Sequence, residues 1–442
     1  MFKKIILLIL CTVQLIHAQQ FIESMEIQHN TITYRINEKL HNKYLRENLY
    51  IEYPYDIQLN QLDYCIITMP LIMNTIAIIW VSNEDYYIDA MDAELYYSLE
   101  KVKEVFRRFY PITRFDGNLI PKKLTHTANI WQTKKETPGF ALPFSHGLDS
   151  LCTSMRHYKT PQLLITARGM PDTPVDMWEI NWKYTKKVIK RFAKIYGHTT
   201  ITITSNFHEF FNWRELCSLS PEIEHWRLCV VEGLGWMGLT APILISKGYK
   251  TFVLPANGDW LSPHPGADCP LINDVVTFAG ITCKSDGFEI TRAEKNNIIA
   301  AICNENNLEK PTFVICENIL EERKNCCECY KCVTSILALL LIDEDPFDYG
   351  FDFILNDFLD HLRMTLAKNK TYEPDTVRWF KHYQEQAHLK YDKLTPKLQE
   401  FFAWFCTINF DAAIEPWNNI VIDYNNFIDI YPNIPDFLKL KN

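Results

Sequence analysis

Residues 139–157 read GFALPFSHGLDSLCTSMRH, and the fold is decided by how this stretch is read. The apolar run 140–144 has the length and composition of a short buried strand, and helix-compatible sequence follows from Asp149. Between them, Ser145, His146 and Gly147 form a hydroxyl and glycine turn. Backbone N–H groups at a strand-to-helix turn point at a bound anion, and the helix dipole adds to their field. Gly147 lets a backbone approach closely. Ser145 and Ser150 supply hydroxyl donors, and Asp149 supplies a carboxylate that can cap the helix or hold a divalent metal. An ordinary strand–turn–helix with an aspartate cap would use the same letters, so the surrounding chain has to decide.

Downstream, the pattern alternates. Strand-like QLLITA (162–167) is followed by a long helix over 175–196, strand TTITITS (199–205), a helix around 234–246 and strand YKTFVLP (249–255). Strands alternating with helices imply a parallel, doubly wound sheet, whose ligands bind at the carboxyl ends of its strands. The turn 145–150 falls at such an end. So does the stretch after Ala167, which begins at Arg168.

The segment Ser145-His146-Gly147-Leu148-Asp149-Ser150 resembles the S-G-G-x-D-S loop of the N-type ATP pyrophosphatases, the PP-loop superfamily. The resemblance implies an α/β fold with a doubly wound, mostly parallel sheet. It also implies cleavage of ATP between its α and β phosphates with transfer of AMP. ATP and Mg2+ are the implied ligands, with residues 145–150, Ala167 and Arg168 around the nucleotide. His146 departs from the pattern, standing where the family has glycine. If that position needs a positive φ, a non-glycine residue costs on the order of 1 kcal/mol, and histidine tolerates it better than most. Ser262-Pro263-His264-Pro265 with Asp268, and Ser285-Asp286-Gly287 leading to Arg292 and Lys295, are similar to segments of a poorly characterised branch of that superfamily. Arg292 and Lys295 lie one helical turn apart and could both face a polyphosphate. A capped, solvated helix with Glu294 as partner is the plainer expectation.

Cys316, Cys326, Cys329 and Cys332 form C-x9-C-x2-C-x2-C. Paired thiolates at C-x2-C spacing with a distal fourth ligand close a tetrahedral site, so one structural Zn2+ is expected. Disulfides in an exported chain are the competing reading. The knuckle is similar to that of the queuosine-precursor (cyano-deazaguanine) synthase branch of PP-loop enzymes, with Cys327 replacing a glycine. The resemblance therefore implies an ATP-dependent adenylating enzyme that activates a small-molecule carboxylate or carbonyl, with Asp149, Ser145, Arg292 and Lys295 acting on the phosphates. The alternatives are a nucleotide- and zinc-binding module that has lost turnover, and a PP-loop RNA-modifying enzyme.

Composition bounds these readings. The chain has 442 residues, 47% of them hydrophobic, and a formal net charge of -9. No global basic field attracts nucleic acid, and Lys183, Lys186, Lys187, Lys190, Arg191 and Lys194 read as a solvated helix face. The expected partner is a small molecule; a homo-oligomer is left open. Gly233-Leu234-Gly235-Trp236-Met237-Gly238 matches G-x-G-x-x-G after the strand-compatible RLCVVE. Trp236 inside the turn and the lack of a following acidic strand end favour glycines for close helix packing over a dinucleotide site.

Residues 1–18 have the layout of a secretory signal, two lysines before an apolar run and Ala18 at its end. ATP chemistry and clustered thiols favour the cytoplasm, so export is the alternative localisation. No later run looks long enough to cross a bilayer. The expected organisation is a mixed domain over 21–135 and a PP-loop domain over 138–342 carrying the knuckle. A mainly helical region over 343–442 follows.

Overall fold

The computed structural model describes residues 19–128, 136–170, 173, 175, 179–259, 266–316, 325–369, 371–414 and 423–432. The signal-like segment, Pro171-Asp172 and the Ser262–Pro265 cluster lie outside these residues. The protein is mixed α/β. The strands of the main sheet are β1 (Ile22–Gln28), β2 (Thr31–Ile36), β3 (Leu49–Glu52), β4 (Phe140–Pro143), β5 (Gln162–Arg168), β6 (Thr199–Ser205), β7 (Thr251–Pro255), β8 (Thr277–Phe278) and β9 (Ile281–Asp286). The helices used below are α1 (Tyr64–Ser82), α2 (Ala93–Phe109), α3 (Leu148–Arg156), α4 (Glu179–Tyr196), α5 (Glu232–Lys247), α6 (Arg292–Glu305), α7 (Tyr330–Leu340), α8 (Leu355–Lys368), α9 (Pro374–Lys390) and α10 (Pro396–Phe405).

The nine strands lie in the order β8-β9-β7-β4-β5-β6-β3-β2-β1. From β9 to β6 every pairing is parallel, and β4 is bonded to both β5 and β7. The chain therefore runs outward from β4 in one direction through β5 and β6, then returns to its other side for β7 and β9. The remaining pairings are antiparallel, because a hairpin (β1–β2) and β3 extend the sheet beyond β6. A sheet boundary is therefore absent at residue 135: the first three strands continue the sheet that β4 to β9 form. That hairpin turns at His29, whose φ is 55°.

Successive side chains of a strand point to opposite faces, and both faces here are covered. Leu142, Leu164 and Val253 face one core with α3, α4, α6, α7 and the C-terminal helices. Ala141, Leu163, Ile165, Phe252 and Leu254 face the other, with α1, α2 and α5. Each fully buried leucine or phenylalanine contributes roughly 1.5–3 kcal/mol.

The second core corrects two expectations. RLCVVE is not a strand: Arg227–Val231 is a π-helical turn that runs straight into α5. The apolar stretch holding Pro70 and Asn74 is one continuous helix, α1, started by an Asp63 cap on the Cys65 N–H and stopped at left-handed Asn83. Asn74 donates to the Pro70 carbonyl (2.6 Å) and Thr75 to that of Leu71 (2.7 Å), so both side chains give their donors back to the helix. Among the described residues two helical stretches, Tyr64–Ser82 and Arg227–Lys247, are long and apolar enough to cross a bilayer, contrary to the sequence reading. In the structure both are mostly buried and pack against each other. The G-x-G-x-x-G glycines make that crossing possible. A Cβ on Gly238 would sit 2.9 Å from the Cβ of Met73, and one on Gly235 would sit 2.8 Å from Asn74 Oδ1. The close-packing reading of the motif therefore holds.

Candidate anion site and metal centre

β4 ends at Pro143, and the chain turns through Phe144, Ser145 and His146 into α3, whose N-cap is Gly147. The Ser145 hydroxyl accepts the Gly147 N–H (3.2 Å), and the Ser150 hydroxyl donates to the Gly147 carbonyl (3.1 Å). His146 takes φ 65°, the left-handed conformation that glycine adopts without strain. Its ring turns away from the solvent side of the loop and wedges between Phe144 (centroids 5.4 Å) and Phe192 of α4 (5.3 Å). At 2% exposure, with neither ring nitrogen in a good hydrogen bond, it is held neutral, and burial pushes its pKa down to about 3. His146 therefore serves the loop through its backbone, and Leu148, fully buried, does the same. Ser145 is exposed and Asp149 half-exposed.

The plainer expectation for Arg292 and Lys295 was a solvated helix, and the structure corrects it. Glu294 is spent on a capping box with Thr291, while Arg292 and Lys295 are buried (8% and 2% exposed). Lys295 Nζ donates to Asp149 Oδ1 (2.7 Å) and to the Ala256 carbonyl at the end of β7 (2.6 Å). Arg292 lies 3.8 Å from Asp149 Oδ2. Burial alone would raise the Asp149 carboxyl, but Lys295, Arg292 and more distantly Lys331 outweigh it and hold the pKa below the usual carboxylate range. Asp149 was expected to act through magnesium; its partners in the structure are cationic side chains.

Two residues flagged in the sequence join this cluster. Asp268 accepts the Asn257 N–H (2.9 Å) just beyond β7. Burial and the neighbouring Asp149 raise its carboxyl, against the pull of Asn257 and Lys295. Asp286, at the end of β9, is gripped by Arg156 (3.3 Å) and His157 (3.0 Å). Its burial is outweighed by those partners, and its pKa is lowered. Ala167 and Arg168 stand farther along the strand ends. Arg168 pairs with Glu179 (3.2 Å) and lies over Trp182.

The C-terminal helices contribute what the sequence reading missed. Trp379 of α9 lies under the Arg292 guanidinium (5.8 Å) and stacks on Tyr330 (6.2 Å). Its neighbour Arg378 bridges Asp259 (3.0 Å) and Asp375 (2.5 Å). Only their helix was legible in the sequence, because a contact between residues 292 and 379 leaves no local pattern. The basic strip on α4 does not join the site: Lys183, Lys187, Lys190, Arg191 and Lys194 are exposed.

Cys316, Cys326, Cys329 and Cys332 converge, with all four sulfurs within 4.8 Å of one another. The Cys316–Cys329 and Cys326–Cys332 separations are each 4.0 Å. Four sulfurs at about 2.3 Å from one tetrahedral ion lie about 3.8 Å apart, so the cluster can hold a metal ion such as zinc. No cysteine among the described residues is in a disulfide. The Cys326, Glu328 and Cys329 N–H groups point at cluster sulfurs (3.2–3.4 Å), which favours thiolates. Cys327 fills the glycine position of the knuckle with φ 60°, and its thiol is turned away to the Asn325 and Asp352 carbonyls.

No family model, curated protein or solved structure matches the chain. Fold and geometry define its class: a mixed α/β protein with a charged loop at the end of a central parallel strand and a four-cysteine centre beside it.

Proposed function

We propose that the chain is an adenylating enzyme of the PP-loop ATP pyrophosphatase type, with a doubly wound nucleotide-binding sheet and a structural zinc. The observation that carries this reading is the position of the 145–150 turn. It sits at the carboxyl end of β4, where the strand order reverses, with Lys295 and Arg292 converging on Asp149. Ligands of such sheets bind in the crevice at that reversal. The α3 N-terminus and the Ser145 hydroxyl hold phosphate oxygens, while Lys295 and Arg292 neutralise the departing pyrophosphate. An oxygen of a substrate carboxylate or carbonyl attacks the α phosphorus, the bond to the β phosphate oxygen breaks, and pyrophosphate leaves. Bound magnesium would add charge neutralisation between Asp149 and the phosphates. Catalysis is then positioning and electrostatics, with no covalent enzyme intermediate.

The second reading is a nucleotide-binding module without turnover. The direct Asp149–Lys295 bond favours it, because magnesium must compete with a cation already 2.7 Å from that carboxylate. One experiment separates the two. Purified protein with Mg-ATP, a panel of carboxylic acids and ammonia is assayed for AMP and pyrophosphate, beside Asp149→Asn. The adenylating reading expects AMP from the parent and a loss of at least tenfold in the variant, about 1.4 kcal/mol of transition-state stabilisation. Binding without AMP supports the module. Equal Mg-ATP affinity and AMP production in parent and variant would refute the assignment of the nucleotide site to Asp149 and the 145–150 turn.

A further inference from the structure

Helix α9 belongs to the C-terminal region, yet its contacts lead straight to the charged loop. Arg378 bridges Asp259, beyond the end of β7, and Asp375 on its own helix. The next residue, Trp379, lies under the Arg292 guanidinium, and Arg292 lies 3.8 Å from Asp149 Oδ2. Lys295 then joins Asp149 to the Ala256 carbonyl, and the chain from 256 to 259 leads back to Arg378. These contacts form a closed circuit between the loop, the end of β7 and α9. Lys295 has the nearer claim on Asp149, at 2.7 Å, so Arg292 holds only part of one carboxylate.

Three polar groups on this circuit have no hydrogen-bond partner among the described residues: Arg292 Nε, Arg378 Nε and Trp379 Nε1. All three atoms are buried, and Arg292 as a whole is 8% exposed. Each is a donor with no accepting capacity, so no rearrangement of protons lets them pair with one another. Buried donors are nearly always paired, and a guanidinium pairs best with an oxyanion. Arg378 already commits its two terminal nitrogens to Asp259 and Asp375. The open donors of Arg292 and Trp379, two residues in contact beside the loop, are therefore the pair that calls for a ligand.

We infer that Trp379 and Arg292 form a subsite for the terminal phosphate of a nucleoside triphosphate, the outer half of the departing pyrophosphate. The indole N–H and the guanidinium Nε donate to its oxygens. This rests on the reading of residues 145–150 as a polyphosphate site. In an in-line displacement the attacking oxygen and the leaving group stand on opposite sides of the α phosphorus. Arg292 adjoins the loop on the leaving-group side, so the oxyanion between it and Trp379 is a phosphate and not the acid under attack. Trp379 is then a binding residue supplied by the C-terminal helices, its ring held by Tyr330, stacked at 6.2 Å, and its helix tied to the end of β7 by Arg378. Such a subsite favours ATP and pyrophosphate over AMP, which lacks the group it holds.

The test is calorimetric titration of the full chain with inorganic pyrophosphate, Mg-ATP and AMP. The parent is compared with Trp379→Phe, which keeps an aromatic ring under Arg292 and removes the indole N–H. The variant should keep the parent's thermal midpoint and AMP affinity while binding pyrophosphate and Mg-ATP about tenfold more weakly, the scale of one hydrogen bond to a charged group. Trp404→Phe, on α10, should match the parent in these titrations. In protein carrying isotope-labelled tryptophan, pyrophosphate should shift the indole N–H resonance that Trp379→Phe lacks, one of 11. A Trp379→Phe protein that binds pyrophosphate like the parent overturns the inference and leaves the polyphosphate reading standing. So does a Trp379 resonance that stays in place when pyrophosphate binds. An equal loss of AMP affinity, with a lowered thermal midpoint, makes Trp379 structural and also overturns it. A parent that binds neither pyrophosphate nor Mg-ATP removes the polyphosphate reading first, and the inference falls with it.

Discussion

His146 makes the protein acid-sensitive in a way that can be calculated. Its ring is sealed between Phe144 and Phe192 with no good hydrogen bond at either nitrogen, and burial lowers its pKa from 6.5 to about 3. A base whose folded pKa is depressed binds its proton more readily in the unfolded chain. Its contribution is therefore intact above the unfolded value and is lost as pH falls from about 6.5 toward 3. Between pH 7 and pH 5 that single group should remove about 2 kcal/mol, since each unit below 6.5 costs about 1.4 kcal/mol. The perturbation is His146→Phe, which keeps an aromatic ring in the slot and removes the titration. Phenylalanine at φ 65° adds backbone strain, but the strain is the same at both pH values and cancels in the difference. Urea unfolding followed by tryptophan fluorescence at pH 7 and pH 5 gives the comparison. The variant should lose about 2 kcal/mol less than the parent over that interval. It should retain some sensitivity, because His198, also packed on Phe192, is buried and lowered to about 4. Equal losses in parent and variant would refute the argument that His146 is buried neutral.

Two further outcomes follow from the geometry. Cys329→Ser removes one of four converging sulfurs, and elemental analysis should find stoichiometric metal in the reduced parent but not in the variant, with faster proteolysis of the variant. A parent without metal would sink the zinc assignment. Gly238→Ala forces a Cβ to 2.9 Å from Met73 and 3.1 Å from the Met69 carbonyl, so the α1–α5 crossing must open. Overpacking of this kind costs roughly 1–3 kcal/mol, read as a lower urea midpoint, and an unchanged midpoint would contradict the close-packing role of the glycines.

What the sequence made legible is what chain-local physics determines. Helix α2 is written in its letters: Asp92 caps the Leu95 N–H, and Leu95, Leu99, Val102 and Phe106 recur at helical spacing and are all buried. Strands β4, β5 and β6 are short apolar or β-branched runs bounded by turns, and each forms within two residues of its expected place. The cysteine centre was legible because a metal site needs its ligands at fixed spacings. Helix α1 was not legible as a helix. It is buried on every side, so it carries no amphipathic period, and periodicity alone cannot separate such a helix from buried strand. Pro70 and Asn74 also break up its apolar run in sequence, although the helix continues through both.

The site divides along the same line. Ser145 to Ser150 could be found because a turn between strand and helix is a local event, and the positive φ at position 146 follows from the same turn. Arg292 and Lys295 could be placed one turn apart, yet nothing local tells a solvated pair from a buried one. The difference is Asp149, 146 residues from Lys295 in the chain and 2.7 Å from it in space. A buried lysine without that carboxylate would be expelled to water or would lose its proton. Asp149 thus does two things that the sequence suggested only one of: it faces the loop, and it keeps two cations inside the protein. Arg292 in turn rests on Trp379 from the C-terminal helices. The charged site is therefore closed by the helices that follow the cysteine centre, where no motif announced a function. A residue there acts on the loop only through the long-range contacts that hold α9 against α6 and α7.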